Sequence, residues 1–151
     1  MKRVILSAML LLLWGFGSGA QADDKEDVLA AMTMWGDSLA VGSTESPDKI
    51  LALYADDAVL WGTISSTIRA EPPAIRDYFV TAYQKLPGLT VAFKDPLVRV
   101  YGDVALNSGS YTFTYQKDGQ PQTLPARYSF ALVKQDGAWL IADHHSSAMP
   151  K

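Results

Sequence analysis

The segment Gly137-Ala138-Trp139-Leu140-Ile141-Ala142-Asp143-His144-His145-Ser146-Ser147 constrains the fold most strongly. It follows a tight Asp136-Gly137 turn and ends in a polar cluster, a pattern typical of a strand. It also contains both histidines of the protein. Because side chains alternate along a strand, two sets of residues are predicted on opposite faces. One set is Trp139, Ile141, Asp143 and His145, and the other is Leu140, Ala142, His144 and Ser146. A regular strand therefore directs only one histidine into a given pocket.

Three further strands are predicted before this one. Their residues are β-branched or aromatic, and the connections carry the turn signals Tyr101-Gly102-Asp103 and Lys117-Asp118-Gly119. The predicted strands cover residues 90–100, 105–115, 124–134 and 139–146. This spacing predicts an antiparallel meander at the end of the chain.

Helices are predicted before the meander. Val28, Met32, Trp35 and Leu39 recur at helical spacing. A short helix is predicted after Ser46-Pro47, then a strand that begins at Val59, then a third helix from Pro72 to about Leu86. The order of elements predicts an α+β domain in which three N-terminal helices pack on a strongly bent antiparallel sheet.

The N-terminal residues 1–22 are predicted to be a secretory signal peptide. Lys2-Arg3 precedes an apolar run, and Ala20-Gln21-Ala22 is a small-residue cleavage site. We expect cleavage after Ala22, a periplasmic or secreted protein, and no membrane attachment thereafter. The alternative is an uncleaved N-terminal anchor. Residues 23–151 then form one domain of ordinary size.

Composition excludes several functions. The chain has no cysteine, which excludes disulfides, thiol catalysis and cysteine metal sites. Its formal net charge is −3 and it has no basic run, so we expect no nucleic-acid partner. The two histidines are predicted on opposite faces and the acids are scattered, so no metal is expected. No nicotinamide or flavin fingerprint is present, and no cofactor is expected.

Several motifs, taken in order, resemble the nuclear transport factor 2-like superfamily. They span the domain from its second helix to its last strand. They are Leu53-Tyr54-Ala55-Asp56-Asp57-Ala58-Val59-Leu60, Ile75-Arg76-Asp77-Tyr78-Phe79, Gly109-Ser110-Tyr111-Thr112-Phe113 and Ala126-Arg127-Tyr128-Ser129-Phe130. The ending from His144 to Pro150 is similar to the bacterial branch related to the association domain of calcium/calmodulin-dependent protein kinase II.

The resemblance implies a cone with a pocket between helices and sheet, and a homodimer or higher homo-oligomer. It implies no kinase activity, because a glycine-rich phosphate loop and a His-Arg-Asp element are both missing from the sequence. Members of this superfamily include enzymes, binding modules and assembly hubs, so the fold alone does not define the function.

The resemblance also implies site residues. His145 corresponds to the pocket-facing histidine of the last strand, where it is the candidate catalytic base. Arg127 resembles a pocket arginine that grips a carboxylate, and Ser147 completes the polar end. His144 is then expected on the outer face or at a dimer contact. Further ligand-binding residues are expected in the pocket wall: Tyr54, Trp61, Thr63 and Tyr111.

Three classes of function remain open. The first is binding of a small anionic or partly apolar molecule in the cone, with or without oligomerisation. The second is a cofactor-independent isomerase, cyclase or dehydratase, in which His145 is the base and Arg127 or Tyr111 stabilises developing negative charge. The third is a protein-partner module of the assembly or immunity type, which uses the outer sheet face and His144.

Overall fold

The computed structural model describes residues 18–42 and 46–150, with side chains from Asp23 onward. Most of the predicted signal peptide, residues 1–17, lies outside the described residues. In the described part the elements follow the predicted order. They are helix α1 (Ser18–Gly42), helix α2 (Asp48–Leu51), strand β1 (Tyr54–Trp61), helix α3 (Pro72–Lys85), and strands β2 (Thr90–Tyr101), β3 (Val104–Lys117), β4 (Gln120–Gln135) and β5 (Ala138–Ala148).

The strands form one curved sheet in the order β1-β5-β4-β3-β2. Strands β2 to β5 are the predicted antiparallel meander, and β1 adds a parallel pairing with β5. The three hairpin turns contain Gly102, Gly119 and Gly137, whose φ angles are 62°, 73° and 83°. Glycine adopts this left-handed conformation without steric cost, which explains why these turn sequences end the strands. The predicted α+β fold with a bent sheet is confirmed.

Helix α1 covers the inner face of the sheet. The four residues predicted at helical spacing, Val28, Met32, Trp35 and Leu39, are all buried, at most 3% exposed. Trp35 is the centre of this packing, because its ring makes edge contacts with Phe93 and Phe130 at centroid distances of 6.1 and 5.6 Å. Fully burying one such side chain stabilises a domain by about 2–3 kcal/mol. This face of the helix therefore forms the core together with the inner face of the sheet.

A bulge in β5 changes which side chains of the last strand face inward. Asp143 pairs with Ala131 and Ile141 pairs with Leu132, so Ala142 is an extra residue on β5. Such an insertion reverses the alternation of side chains beyond it. As a result His144 is buried on the same side as Ile141, whereas His145 is exposed. The prediction that His145 shares a face with Trp139 and Ile141 is therefore wrong, and His144 faces inward instead.

Candidate functional site

A cavity of about 20 Å³ lies between helices α1 and α3 and the inner face of the sheet. It is large enough for one water-sized group. The lining includes no Asp, Glu, Lys or Arg, and it is mostly apolar or aromatic. The lining residues are Trp35, Leu39, Thr63, Ile64, Tyr78, Phe79, Ala82, Leu86, Leu89, Tyr111, Phe113, Leu124, His144 and Ser146. Polar groups are concentrated at the end formed by β5, where His144 and Ser146 lie.

His144 is held by aromatic and polar contacts. Its ring stacks on Phe130 at a centroid distance of 4.0 Å and meets the edge of Trp35 at 5.3 Å. Its Nδ1 lies 2.9 Å from the hydroxyl of Tyr54, and its Nε2 lies 3.4 Å from the hydroxyl of Tyr111. Because both ring nitrogens have a partner, the buried imidazole is satisfied without solvent.

The hydrogen bonds of the site form one chain whose direction follows from Trp35. An indole N–H can only donate, and Trp35 Nε1 donates to the Tyr54 hydroxyl over 3.0 Å. The proton of Tyr54 is then satisfied only by donation to His144 Nδ1, so His144 carries its own proton on Nε2. This tautomer places an N–H toward the Tyr111 oxygen.

The chain continues from Tyr111 to the edge of the cavity. The Tyr111 hydroxyl donates to Ser146 Oγ, which in turn contacts Thr63 Oγ1. Either hydroxyl of this last pair can donate, but Thr63 is the described acceptor within reach of the Ser146 proton, so donation from Ser146 satisfies that proton and leaves the proton of Thr63 available. Thr63 lies in the half-exposed turn after β1 and is the last residue of this series of hydrogen bonds. Its hydroxyl proton is available to a ligand. The polar end of the cavity thus presents a hydrogen-bond donor.

Burial keeps the groups of the site uncharged at neutral pH. Burial, and to a smaller extent the charge of the neighbouring His145, lower the pKa of His144 to about 3. Burial also raises the pKa of Tyr54 well above its ordinary value of 10.0, and raises those of Tyr111 and Tyr78, the latter to about 12. The cavity is therefore lined by neutral donors and acceptors. None of these four groups titrates near pH 7.

The structure divides the predicted site residues between the two faces of the sheet. Tyr111 and Thr63 line the cavity, and Tyr54 lies directly behind His144. Arg127, His145 and Ser147 lie together on the outer face, which is the side of the sheet turned away from the helices. The expectation that Arg127 and His145 line the inner pocket is wrong, since the bulge and the register of β4 turn both outward. Trp61 is 42% exposed and is also misassigned to the pocket wall.

Three residues at the centre of the site were not predicted there. Trp35 was expected only as core, whereas its indole nitrogen directs the hydrogen-bond chain. His144 and Ser146 share a face, as strand alternation indicates, but the bulge determines that this face is the inner one. Among residues 18–42 and 46–150, no group of three His, Asp or Glu side chains is arranged to hold a metal ion. None of the helices described is long and apolar enough to cross a membrane.

Comparison with known proteins identifies the family. Residues 24–150 match the calcium/calmodulin dependent protein kinase II association domain. A Xanthomonas campestris structure named for the same domain is 35% identical, with a TM-score of 0.76, covering 98% of this chain and 99% of that one. The comparison with curated proteins found no match.

More distant structures share the fold. A Nostoc punctiforme protein of unknown function with a cystatin-like fold is 18% identical, with a TM-score of 0.73 over 86% of this chain and 94% of that one. A Streptomyces avermitilis protein of the NTF2-like family, named for a dehydratase, is 15% identical, with a TM-score of 0.75 over 86% of this chain and 99% of that one. The chain therefore belongs to the calcium/calmodulin dependent protein kinase II association domain family and has the NTF2-like fold.

Proposed function

We propose that the domain binds a small, uncharged and largely apolar molecule in the cone, and holds one acceptor atom of that molecule with the Thr63 hydroxyl. The observation that carries the proposal is the pairing of an apolar cavity with one polar end made of His144, Tyr111, Ser146 and Thr63. Few polar groups at one end of an apolar cavity are typical of small-molecule sites. A carbonyl, ether or hydroxyl oxygen of the ligand can accept the hydrogen bond that the Thr63 hydroxyl donates.

The charge of the lining favours a neutral ligand. Arg127, the expected partner of an acid, lies on the other face of the sheet. No cationic side chain lines the cavity, and the low pKa of His144 keeps its ring neutral. Moving a carboxylate into such a site costs several kcal/mol without a compensating charge. The anionic ligand expected from the sequence is therefore replaced in this proposal by an uncharged one.

The size of the ligand depends on the mouth of the cavity. The lining residues that are only half-buried mark this mouth, and they are Thr63, Ile64, Tyr78, Leu86 and Leu124. A volume of about 20 Å³ admits one water-sized group, so a larger ligand enters by displacing the side chains of Leu86 and Leu124. Both are aliphatic and have rotamers available at the surface.

Binding accounts for the site better than proton transfer does. A general base works best when its pKa lies near the operating pH. The pKa of His144 is about 3, and burial raises the pKa of Tyr111 above 10.0, so both are poorly matched to that role. His145, the expected base, is exposed on the outer face. The isomerase, cyclase or dehydratase alternative therefore has no suitable base in the cavity.

The proposal is tested by thermal shift and calorimetry with small neutral ketones, phenols and lactones beside matched carboxylates. Thr63→Val removes the terminal hydroxyl at nearly constant shape, and the loss of one hydrogen bond is expected to weaken binding by about fivefold. Thr112→Val is the matched control, because Thr112 is a half-exposed threonine that does not line the cavity. Preferential binding of carboxylates, or equal affinities of the two variants, would contradict the proposal.

A second proposed function is self-association through the outer face of the sheet. Leu97 is 68% exposed, Tyr101 is 61% exposed and Val104 is 43% exposed. Tyr101 and Val104 are cross-strand partners, and Leu97 lies along the same face of β2. Several large apolar side chains exposed on one face, here flanking Arg99, indicate a protein contact. The family is named for association, which supports a second copy of the chain as the partner.

Sedimentation equilibrium tests the second proposal. Leu97→Asp is expected to shift a dimer or larger oligomer toward the monomer, because it places a charge in an apolar contact. Met34→Asp is the control, since Met34 is 55% exposed on helix α1, away from this face. A monomeric wild-type protein at micromolar concentration, or equal behaviour of both variants, would refute self-association through this face.

A further inference from the structure

The outer face of the sheet has a depression, separate from the cone cavity, with a volume of about 270 Å³. It lies where β3, β4 and β5 run side by side, in the middle of the five-stranded sheet. Its lining is rich in hydrogen-bond donors. The lining residues are Ser108, Gly109, Arg127, Tyr128, Ser129, His145 and Ser147.

The strand register brings these donors into two adjacent rows. In one row Ser108 pairs with Ser129, and Ser129 pairs with His145. In the next row Arg127 pairs with Ser147. Residues two apart on a strand share a face, so the two rows lie next to each other on the same surface. The bulge at Ala142 is what places His145 in this set rather than in the core.

The guanidinium of Arg127 is held but not neutralised. Its Nε donates to Ser147 Oγ over 3.0 Å, which orients the group and leaves the terminal nitrogens available. Among the ion pairs of the described residues, none includes Arg127. Ser108 Oγ and Ser129 Oγ lie 3.4 Å apart beside it. Asp143, a carboxylate on this face, lies one row beyond His145, opposite Ala131.

We propose that this depression, here called the outer cradle, binds a small oxyanion. A guanidinium offers paired N–H donors that match the spacing of oxygens in phosphate, sulfate or a carboxylate. Hydroxyls and an imidazole supply further donors around it. The ligand is defined by its oxyanion, whether that belongs to a free ion or to the end of a larger molecule.

The outer cradle is independent of the cone site. All of its donors come from one chain, and the sheet separates them from the cavity lined by His144 and Ser146. It lies on the face for which self-association is proposed, so the oligomeric state is measured in every titration. Failure of either proposal above leaves the expected behaviour of the outer cradle unchanged, whereas self-association through Leu97, which pairs with the cradle residue Ser108, is expected to compete with the ion.

The test is an amide NMR titration of the purified protein with inorganic phosphate, methyl phosphate, sulfate and acetate at constant ionic strength. Saturable shifts are expected at Ser129, His145 and Ser147. Arg127→Gln is expected to lower affinity at least tenfold, because it removes charge-assisted hydrogen bonds. Arg99→Gln is the matched control, since Arg99 is an exposed arginine on the same face outside the cradle, and a change below about twofold is expected.

Comparison of the four anions identifies the chemical group that the outer cradle binds. Equal binding of phosphate and methyl phosphate supports a phosphoryl group on a free ion or an ester, whereas a preference for acetate supports a carboxylate. Ser129→Ala provides a second variant, with an expected loss of about fivefold. The proposal is overturned by shifts that rise linearly without saturation, or by equal losses in the Arg127 and Arg99 variants, since both indicate diffuse charge attraction alone.

Discussion

The hydroxyl of Tyr54 lies 2.9 Å from Nδ1 of His144, and both side chains are buried. This contact joins the first strand of the sheet to the last, across 90 positions of sequence. It also links the aromatic core, through Trp35, to the polar end of the cavity. The stability of the domain and the donor properties of the proposed binding site therefore depend on the same pair of residues.

Acid should destabilise the protein through His144. The pKa of this ring is about 3 in the folded state, whereas the ordinary value of histidine is 6.5. Between these values the unfolded chain binds a proton that the folded chain does not, so the free energy of unfolding decreases as pH falls. The contribution of His144 is present in full above pH 6.5 and is lost at about 1.4 kcal/mol per pH unit below it.

Urea denaturation at pH 7, 6, 5 and 4 measures this dependence. In His144→Gln, which has no titrating ring, the slope over this range should be smaller by about 1 kcal/mol per unit or more. His145→Gln is the control, because His145 is exposed. A slope that is the same in the His144 variant and in the wild-type protein would show that burial of His144 does not govern acid stability.

Tyr54→Phe should destabilise the fold without creating a large cavity. The substitution removes the partner of both Trp35 Nε1 and His144 Nδ1, and leaves two buried polar atoms without a hydrogen bond. The expected decrease in the free energy of unfolding is about 2–4 kcal/mol. Tyr101→Phe makes the same chemical change at a residue that is 61% exposed, and an effect below about 0.5 kcal/mol is expected there. Equal effects in denaturation curves would contradict the buried network.

The tautomer of His144 can be observed directly. Because Trp35 must donate to Tyr54, and Tyr54 then donates to Nδ1, the proton of the ring is expected on Nε2. Two-bond ¹⁵N–¹H correlation spectra at pH 7 distinguish the two neutral tautomers. Trp35→Phe removes the donor that sets the direction, so a mixture of tautomers is expected in that variant. A ring protonated on Nδ1 in the wild-type protein would contradict the assigned direction of the chain.

Export predicts a defined N-terminus. We propose that the chain is processed after Ala22, so that the mature protein begins at Asp23. Mass spectrometry of the protein recovered from the periplasm of an expressing bacterium measures the terminus. Ala20→Arg disrupts the small-residue cleavage signature and is expected to leave the precursor unprocessed, whereas Gln21→Arg lies between the two small residues and serves as the control. Recovery of a chain that retains residues 1–22 would support the anchor alternative.

Local rules were sufficient to predict the secondary-structure elements and the α+β class from this sequence. The helical spacing of Val28, Met32, Trp35 and Leu39 predicted the buried face of α1, and the glycines at 102, 119 and 137 predicted the turns between the long strands. These signals depend only on near neighbours in the chain, because they reflect side-chain periodicity and the conformational freedom of glycine. The predicted elements and their order therefore agree with the structure, although β1 begins at Tyr54 rather than at Val59.

The sites required tertiary information. Alternation correctly placed His144 with Ser146 and His145 with Asp143, but it wrongly joined His145 to Trp139 and Ile141, because the bulge at Ala142 lies between them. A one-residue insertion in a strand turns every side chain beyond it to the opposite face of the sheet. The sequence by itself determined the class of fold, its elements and the polar residues available for function. Only the pairing of strands distant in sequence decided that His144 enters the core while Arg127 and His145 meet on the outer face, since strand register depends on partners that local periodicity does not encode.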